Sequence, residues 1–231
     1  MNSAAASIRK GIISSIIRKD LLVEYRSKQT FVSTLFFGLL ILVVGNFALT
    51  SAGGDAAVYA PGILWIAFFF AGQIFLSHAL LSEKEENTIA GLIVSPATPG
   101  EIFLGKMLSA VIFLIALELI LLPVFHILFN YSFTLNTLLL CLVLILTSIG
   151  YCALGVLFST MSMGLRNHEI LLSVILFPIL LPLLIMAVKA SIILLTGIGM
   201  GSFGVWLRMI IVFDAIFVVL SFWAYFWVLE A

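Results

Sequence analysis

Three ionisable side chains stand inside long apolar stretches: Glu118, His126 and Asp214. Ionisable groups surrounded by lipid are costly, so each carries a functional hypothesis by default. Glu118 falls twelve residues past Lys106, near the middle of its stretch and too deep to snorkel to an interface. It is expected either to hydrogen-bond a neighbouring helix or to take part in conformational coupling. Asp214 follows Arg208 by six residues, and pairing with Arg208 or Lys189 is the simpler expectation for it. His126 lies eight residues past Glu118 on the same stretch, and a single histidine near an interface is most simply a satisfied polar residue. With His78 and His168 it forms no metal spacing, and no metal is expected. Cys141 and Cys152, eleven apart in one apolar run, fit neither a disulfide framework nor a zinc site and read as small buried residues. An enzyme built on Glu118, His126 and Asp214 is disfavoured. The two carboxylates are expected on different spans at different depths, and no nucleophile or paired-carboxylate motif joins them.

A second constellation imitates a phosphate-binding loop: Gly100, four residues, then Gly105-Lys106. Position 107 is Met, where magnesium binding needs Ser or Thr, and the loop needs a preceding strand so that backbone amides can cradle phosphates. The same residues read better as a helix start. Thr98 is the N-cap, Pro99 takes the first helical position, and Glu101 closes a capping box. No ATP site is expected on this chain.

The elements that carry these groups follow from composition. Of 231 residues, 63% are hydrophobic and 10% charged, against roughly 45–50% and 25% in soluble domains. A soluble fold could not cover so much apolar surface, so lipid is the solvent. Eleven Lys and Arg balance eleven Asp and Glu, which gives no basic surface for nucleic acid. A span needs about 20 mostly apolar residues. Six stretches qualify, at 31–49, 62–81, 102–129, 138–158, 170–188 and 209–229. The expected fold is an all-α polytopic membrane protein of six transmembrane helices over 31–231, preceded by an N-terminal interfacial helix over 1–30. Pro178 and Pro182, one turn apart, are expected to break or kink the fifth span. The glycines that follow, Gly197, Gly199, Gly201 and Gly204, suggest short re-entrant helices, with plain close-packing positions as the alternative.

Orientation follows from the basic residues. Arg9, Lys10, Arg18, Lys19, Arg26, Lys28, Lys84, Lys106 and Arg166 share one side of a six-span chain, whereas Lys189 and Arg208 lie on the other. Nine against two places both termini in the cytoplasm, and Trp223 and Trp227 then suit a cytoplasmic aromatic belt. Ile8, Ile12, Ile13, Ile16 and Ile17 form one helical stripe opposite Lys10, Ser14 and Arg18. That pattern suits a helix lying on the membrane, or more plainly a basic anchor that sets topology.

The connection between spans two and three is the most informative stretch: Ser82-Glu83-Lys84-Glu85-Glu86-Asn87-Thr88-Ile89-Ala90-Gly91-Leu92-Ile93-Val94-Ser95-Pro96. Ile89, Leu92 and Ile93 have helical spacing, and Ser95-Pro96 stops the helix. A short acidic-flanked amphipathic helix of this kind either docks in a groove on a soluble partner or simply reconnects two spans.

In sequence order, a basic helix, two spans, this acidic then Gly-Leu connection and a Gly-Lys start to the third span resemble the permeases of type-2 ABC exporters. More closely, the chain resembles the CcmB family, membrane subunits of the ABC-type haem exporter of cytochrome c maturation. The likeness is carried by Lys19-Asp20-Leu21-Leu22 with Glu24 and Arg26, Ala60-Pro61-Gly62-Ile63-Leu64-Trp65, Leu104-Gly105-Lys106, and Glu118 with Leu121-Leu122-Pro123. It continues through Pro178-Ile179-Leu180-Leu181-Pro182, Trp206-Leu207-Arg208 and Phe213-Asp214. The resemblance implies a non-catalytic permease subunit in a bacterial inner membrane, working with a cytosolic ABC ATPase that binds ATP and magnesium. It also implies a haem-handling membrane subunit and a haem chaperone as partners, two copies per complex, and haem as cargo rather than bound cofactor. Residues 83–95 would be the coupling helix, with Glu83, Glu85, Glu86, Ile89, Gly91, Leu92, Ile93 and Pro96 meeting the ATPase. Imidazole is a common axial ligand of haem iron, yet His126 is still expected to be structural. An exporter of lipid-linked glycan or drug, or a non-transporting assembly scaffold, is the alternative.

Overall fold

The computed structural model describes the backbone of residues 2–52, 56–85, 97–162 and 168–230. Seven helices occur among them: α1 (Asn2–Ser27), α2 (Gln29–Ala52), α3 (Ala56–Glu85), α4 (Pro99–Leu128), α5 (Leu135–Ser162), α6 (His168–Thr196) and α7 (Met200–Glu230). Six of them, α2 to α7, are long and apolar enough to cross a membrane. The protein is therefore an all-α polytopic membrane protein. Apolar side chains face both inward and outward because lipid, unlike water, does not penalise an exposed Phe36, Val219 or Trp223.

α5 is the hub, in contact with α3, α4, α6 and α7, while α2 packs outside against α3 and α4. One end of the bundle carries α1, the starts of α2, α4 and α6, and the last turns of α7. The other end carries the short connections 129–134 and 197–199. Polar side chains join the spans at several points. The Trp65 indole of α3 donates to Ser191 Oγ of α6 at 2.9 Å. Tyr151 of α5 donates to the Phe69 carbonyl of α3 at 3.2 Å. Asn46 Nδ2 reaches the Leu128 carbonyl at 2.6 Å, and Asn136 Nδ2 the Leu194 carbonyl at 2.9 Å. The last two accept at helix C-termini, whose final carbonyls lack partners within the helix.

The start of α4 is the one expected. Thr98 accepts from Glu101 N at 3.4 Å, Glu101 Oε2 accepts from Thr98 N at 2.8 Å, and Pro99 occupies the first turn. Residues 100–106 are helical, so the apparent phosphate loop is the first two turns of a span.

Two expectations are corrected. Pro178 and Pro182 do not break the fifth span, because α6 runs continuously through both. Each proline removes one hydrogen bond, but its fixed φ is itself helical. A break would orphan about four donors and four acceptors in lipid, which costs far more than the two lost bonds. The re-entrant helices expected from the glycines after it are replaced by a three-residue turn. Gly197 (φ 71°) and Gly199 (φ 80°) adopt the left-handed region that lets α6 stop and α7 start at once. Ile198 N donates to Thr196 Oγ1 at 3.2 Å across that turn, and Gly201 and Gly204 lie within α7.

Candidate functional site

Glu118 is buried on α4 and accepts a hydrogen bond from the Ser148 hydroxyl of α5. Beside it lies a small cavity of about 10 Å³ lined by Leu64, Phe68, Leu121, Leu122 and Leu144, room for about one water. Around Glu118 the helices form a packed junction. A larger cleft, about 450 Å³, lies between α3 and α6, lined by Phe69, Phe70, Gln73, Val174, Phe177 and Pro178.

Asp214 does not pair with Lys189 or Arg208. Its side chain is buried, both carboxylate oxygens lack a hydrogen-bond partner among the described residues, and the two basic residues are exposed. Six residues at 3.6 per turn place Arg208 roughly 120° around α7 from Asp214, so the carboxyl turns inward as the guanidinium turns outward. Asp214 instead lies against Gly150 of α5, where an added Cβ would collide with its Oδ1 and press on Leu183. The expected difference in depth between Glu118 and Asp214 is also corrected. They meet α5 at residues 148 and 150, about 3 Å apart along its axis and roughly 160° apart around it. Equal depth does not make them a pair, because α5 stands between them.

His126 is occupied. Its Nδ1 lies 3.0 Å from the Leu122 carbonyl, which can only accept, so Nδ1 is the donor and Nε2 receives the Thr137 hydroxyl at 3.2 Å. Phe133 stacks on the ring at 4.6 Å, and Tyr131 N donates to the His126 carbonyl. The imidazole organises the 129–134 turn, with both nitrogens used. Cys152 is buried and Cys141 half-buried, both free. Among the described residues, no three His, Cys, Asp or Glu side chains could hold a metal.

The polar groups that do converge lie around the start of α4. At 1.5 Å per residue α4 is about 45 Å long and the hydrocarbon core about 30 Å, so a stub projects at the end where α1 lies. α1 runs along that stub. Ile16 packs against Gly105, where an added Cβ would fall 2.8 Å from Ile16 Cγ2. One turn on, the Ser109 hydroxyl lies 3.2 Å from Asp20 Oδ2, and Lys19 Nζ holds Asp20 Oδ1 at 3.0 Å. Of the isoleucine stripe, Ile16 is buried against α4 and Ile12 packs on the core. On another side the end of α7 closes over the stub. Phe103 meets the Phe222 and Tyr225 rings at 6.2 and 5.4 Å, and Tyr225 is fully buried with its hydroxyl 3.4 Å from Thr160 of α5. Sequence reasoning missed this clamp. Its one legible signal was Gly105, a small residue facing a stripe of isoleucines.

Residues 86–96, including Glu86, Ile89, Gly91, Leu92, Ile93 and Pro96, lie outside the described residues, as do the side chains of Glu83 and Glu85 on the last turn of α3. The clamped stub begins at Pro99, three residues after Pro96.

The profile of the CcmB protein family matches residues 11–230. The chain belongs to the CcmB family. Among curated relatives, it is 20% identical over 196 residues to the Heme exporter protein B of Pseudomonas aeruginosa, covering 85% of this chain and 87% of the relative. It is 26% identical over 190 residues to the Heme exporter protein B of Bradyrhizobium diazoefficiens, covering 80% and 83%. The match embraces the α1 clamp as well as the six spans, so the stub and its braces lie within the CcmB unit.

Glu24, one turn beyond Asp20, lies outside the spans, and burial raises its pKa above the usual 4.5. The Thr30 hydroxyl opposes that shift, and the nearby Asp20 charge adds to it. A carboxyl with a raised folded pKa contributes stability that is fully present below its unfolded pKa and is lost as pH rises through the folded value. The packing of α1 on the bundle should therefore tighten as pH falls toward 4.5. Glu24→Gln should hold α1 tight and flatten the dependence, read as the mobility of a spin label on exposed Ser15 between pH 5 and 8. Equal slopes in the parent and the variant would contradict this.

Proposed function

We propose that this chain is the membrane permease subunit of an ATP-driven haem export complex serving cytochrome c maturation. It carries no ATP site of its own and transmits the movement of a separate cytosolic ABC ATPase. The reading rests on membership of the CcmB family together with the clamped stub of α4, the observation that carries it. A segment at 83–95 that grips the ATPase would deliver its displacement three residues from a helix that is capped, braced by α1 and α7, and about 45 Å long. Such a helix moves as a strut. ATP-driven closure of the partner would favour one of two arrangements of the spans, since a ligand shifts an equilibrium only through its different affinity for the two states.

In this reading the clamped end and both termini face the cytoplasm of a bacterial inner membrane, as the nine-to-two distribution of basic residues requires. Glu118 and Ser148 lock α4 to α5, so displacement of α4 reaches the hub of the bundle. The small cavity beside Glu118 argues for transmission rather than passage of a porphyrin through the middle of one chain. Haem is then handled with a second membrane subunit and released to a chaperone. Two copies of this chain per complex would give each of two ATPase subunits one strut.

Replacing Ile89 and Leu92 together with Asp should remove the ATPase from the purified complex by tenfold or more, since burying two charges in an apolar groove costs several kcal/mol. Insertion of the six spans should be unchanged. A full complement of ATPase on the double variant would reject residues 83–95 as the coupling segment.

A further inference from the structure

The face of α1 turned away from α4 has no role in the coupling just described. Asp20 and Glu24 are on the side packed toward the bundle, Asp20 against Ser109 and Glu24 partly buried. The opposite side carries Arg18, Leu22, Tyr25 and Arg26, all exposed and within about 100° of arc at 3.6 residues per turn. Exposed Lys28 follows at the joint, where its positive φ of 46° turns the chain from α1 into α2. Acids thus face inward and bases outward around one helix.

Chain connectivity sets the depth of this face. α2 starts at Gln29 and its membrane-spanning segment begins there, so Tyr25 is four residues and Leu22 seven from the start of a span. At 1.5 Å per residue that is at most about 6 and 10 Å from the start of the span, which keeps both side chains within reach of a headgroup layer. Tyr25 is 75% exposed and Leu22 43% exposed, which would be costly in water but suits a layer where aromatic rings concentrate.

We propose that this face of α1 is a binding surface for anionic phospholipid headgroups. Arg18, Arg26 and Lys28 take the phosphates, and Tyr25 and Leu22 insert among the upper acyl chains. α1 is then held between lipid on its basic side and the α4 stub on its acidic side. The composition of the leaflet thereby bears on how firmly the stub is braced. The inference goes beyond the haem-export reading and stands without it, since it needs only the six spans and the exposed face.

The test uses the full chain in lipid nanodiscs, with Tyr25→Trp as an aromatic reporter and the parent protein's fluorescence subtracted. The probes are brominated phosphatidylglycerol and brominated phosphatidylcholine. The added indole should be quenched more strongly by the anionic lipid. Each cation neutralised in Arg18→Gln and Arg26→Gln should lower that preference roughly fivefold, and high salt should lower it as well. Arg18→Lys with Arg26→Lys should retain it, separating charge from fold. Equal quenching by the two lipids would overturn the proposal. So would an indole that neither lipid quenches and that becomes shielded only when the ATPase is bound, which would assign the face to a protein partner.

Discussion

A helix longer than the hydrocarbon core it crosses must tilt or project, and α4 is longer by about 15 Å. The capping box ties the first turn of α4 by giving the Thr98 and Glu101 amides side-chain acceptors. Ile16 and Asp20 cover one side of the projecting stub, and Phe222 and Tyr225 another. Three separate parts of the sequence, the N-terminal helix, the third span and the end of the sixth, become one body at that end. In the proposed coupling, this body is what a partner would push.

Within the bilayer the governing rule is that polar groups find partners inside the chain. Ser148 serves Glu118, Ser191 serves the Trp65 indole, and Asn46 and Asn136 serve the carbonyls at two helix ends. Each bond joins helices that lipid alone would not hold together, because apolar side chains gain little by leaving lipid for one another. Asp214, like Thr34 and Ser221, departs from the rule, with no hydrogen-bond partner among the described residues, and a glycine lies against it. A helix can approach so close to α5 only where residue 150 lacks a side chain. In the proposed permease role these two ends of the molecule are joined: α4 meets α5 through Glu118, and α5 touches α3, α6 and α7.

Much of this was legible in the sequence because its causes are local. Span lengths follow from the hydrocarbon thickness, and the α4 cap follows from Thr98-Pro99-Gly100-Glu101. The mimicry of a phosphate loop dissolves once those residues are read as a helix start. What was not legible depends on which helix stands beside which. The isoleucine stripe of α1 says that an apolar surface covers it, but not whether that surface is lipid or α4. Arg208 is six residues from Asp214, yet the rotation of α7 turns it away, and Lys189 stands exposed on α6. Pro178 and Pro182 announce two lost hydrogen bonds, while the decision to keep the helix intact belongs to the lipid around it. Helix direction at Gly197 and Gly199 depends on two backbone angles that glycine permits but does not dictate.

The central claim is that α4 and α1 move as one body when the ATPase acts. Pulsed electron resonance on the assembled complex tests it, with one label pair on Ser15 of α1 and Leu104 of the α4 stub. A second pair joins Ile127 near the far end of α4 to Ile198 in the turn after α6. Addition of a non-hydrolysable ATP analogue should leave the first distance unchanged and shift the second. A first distance that changes while the second stays fixed would show the stub tearing from its brace, and would contradict the account.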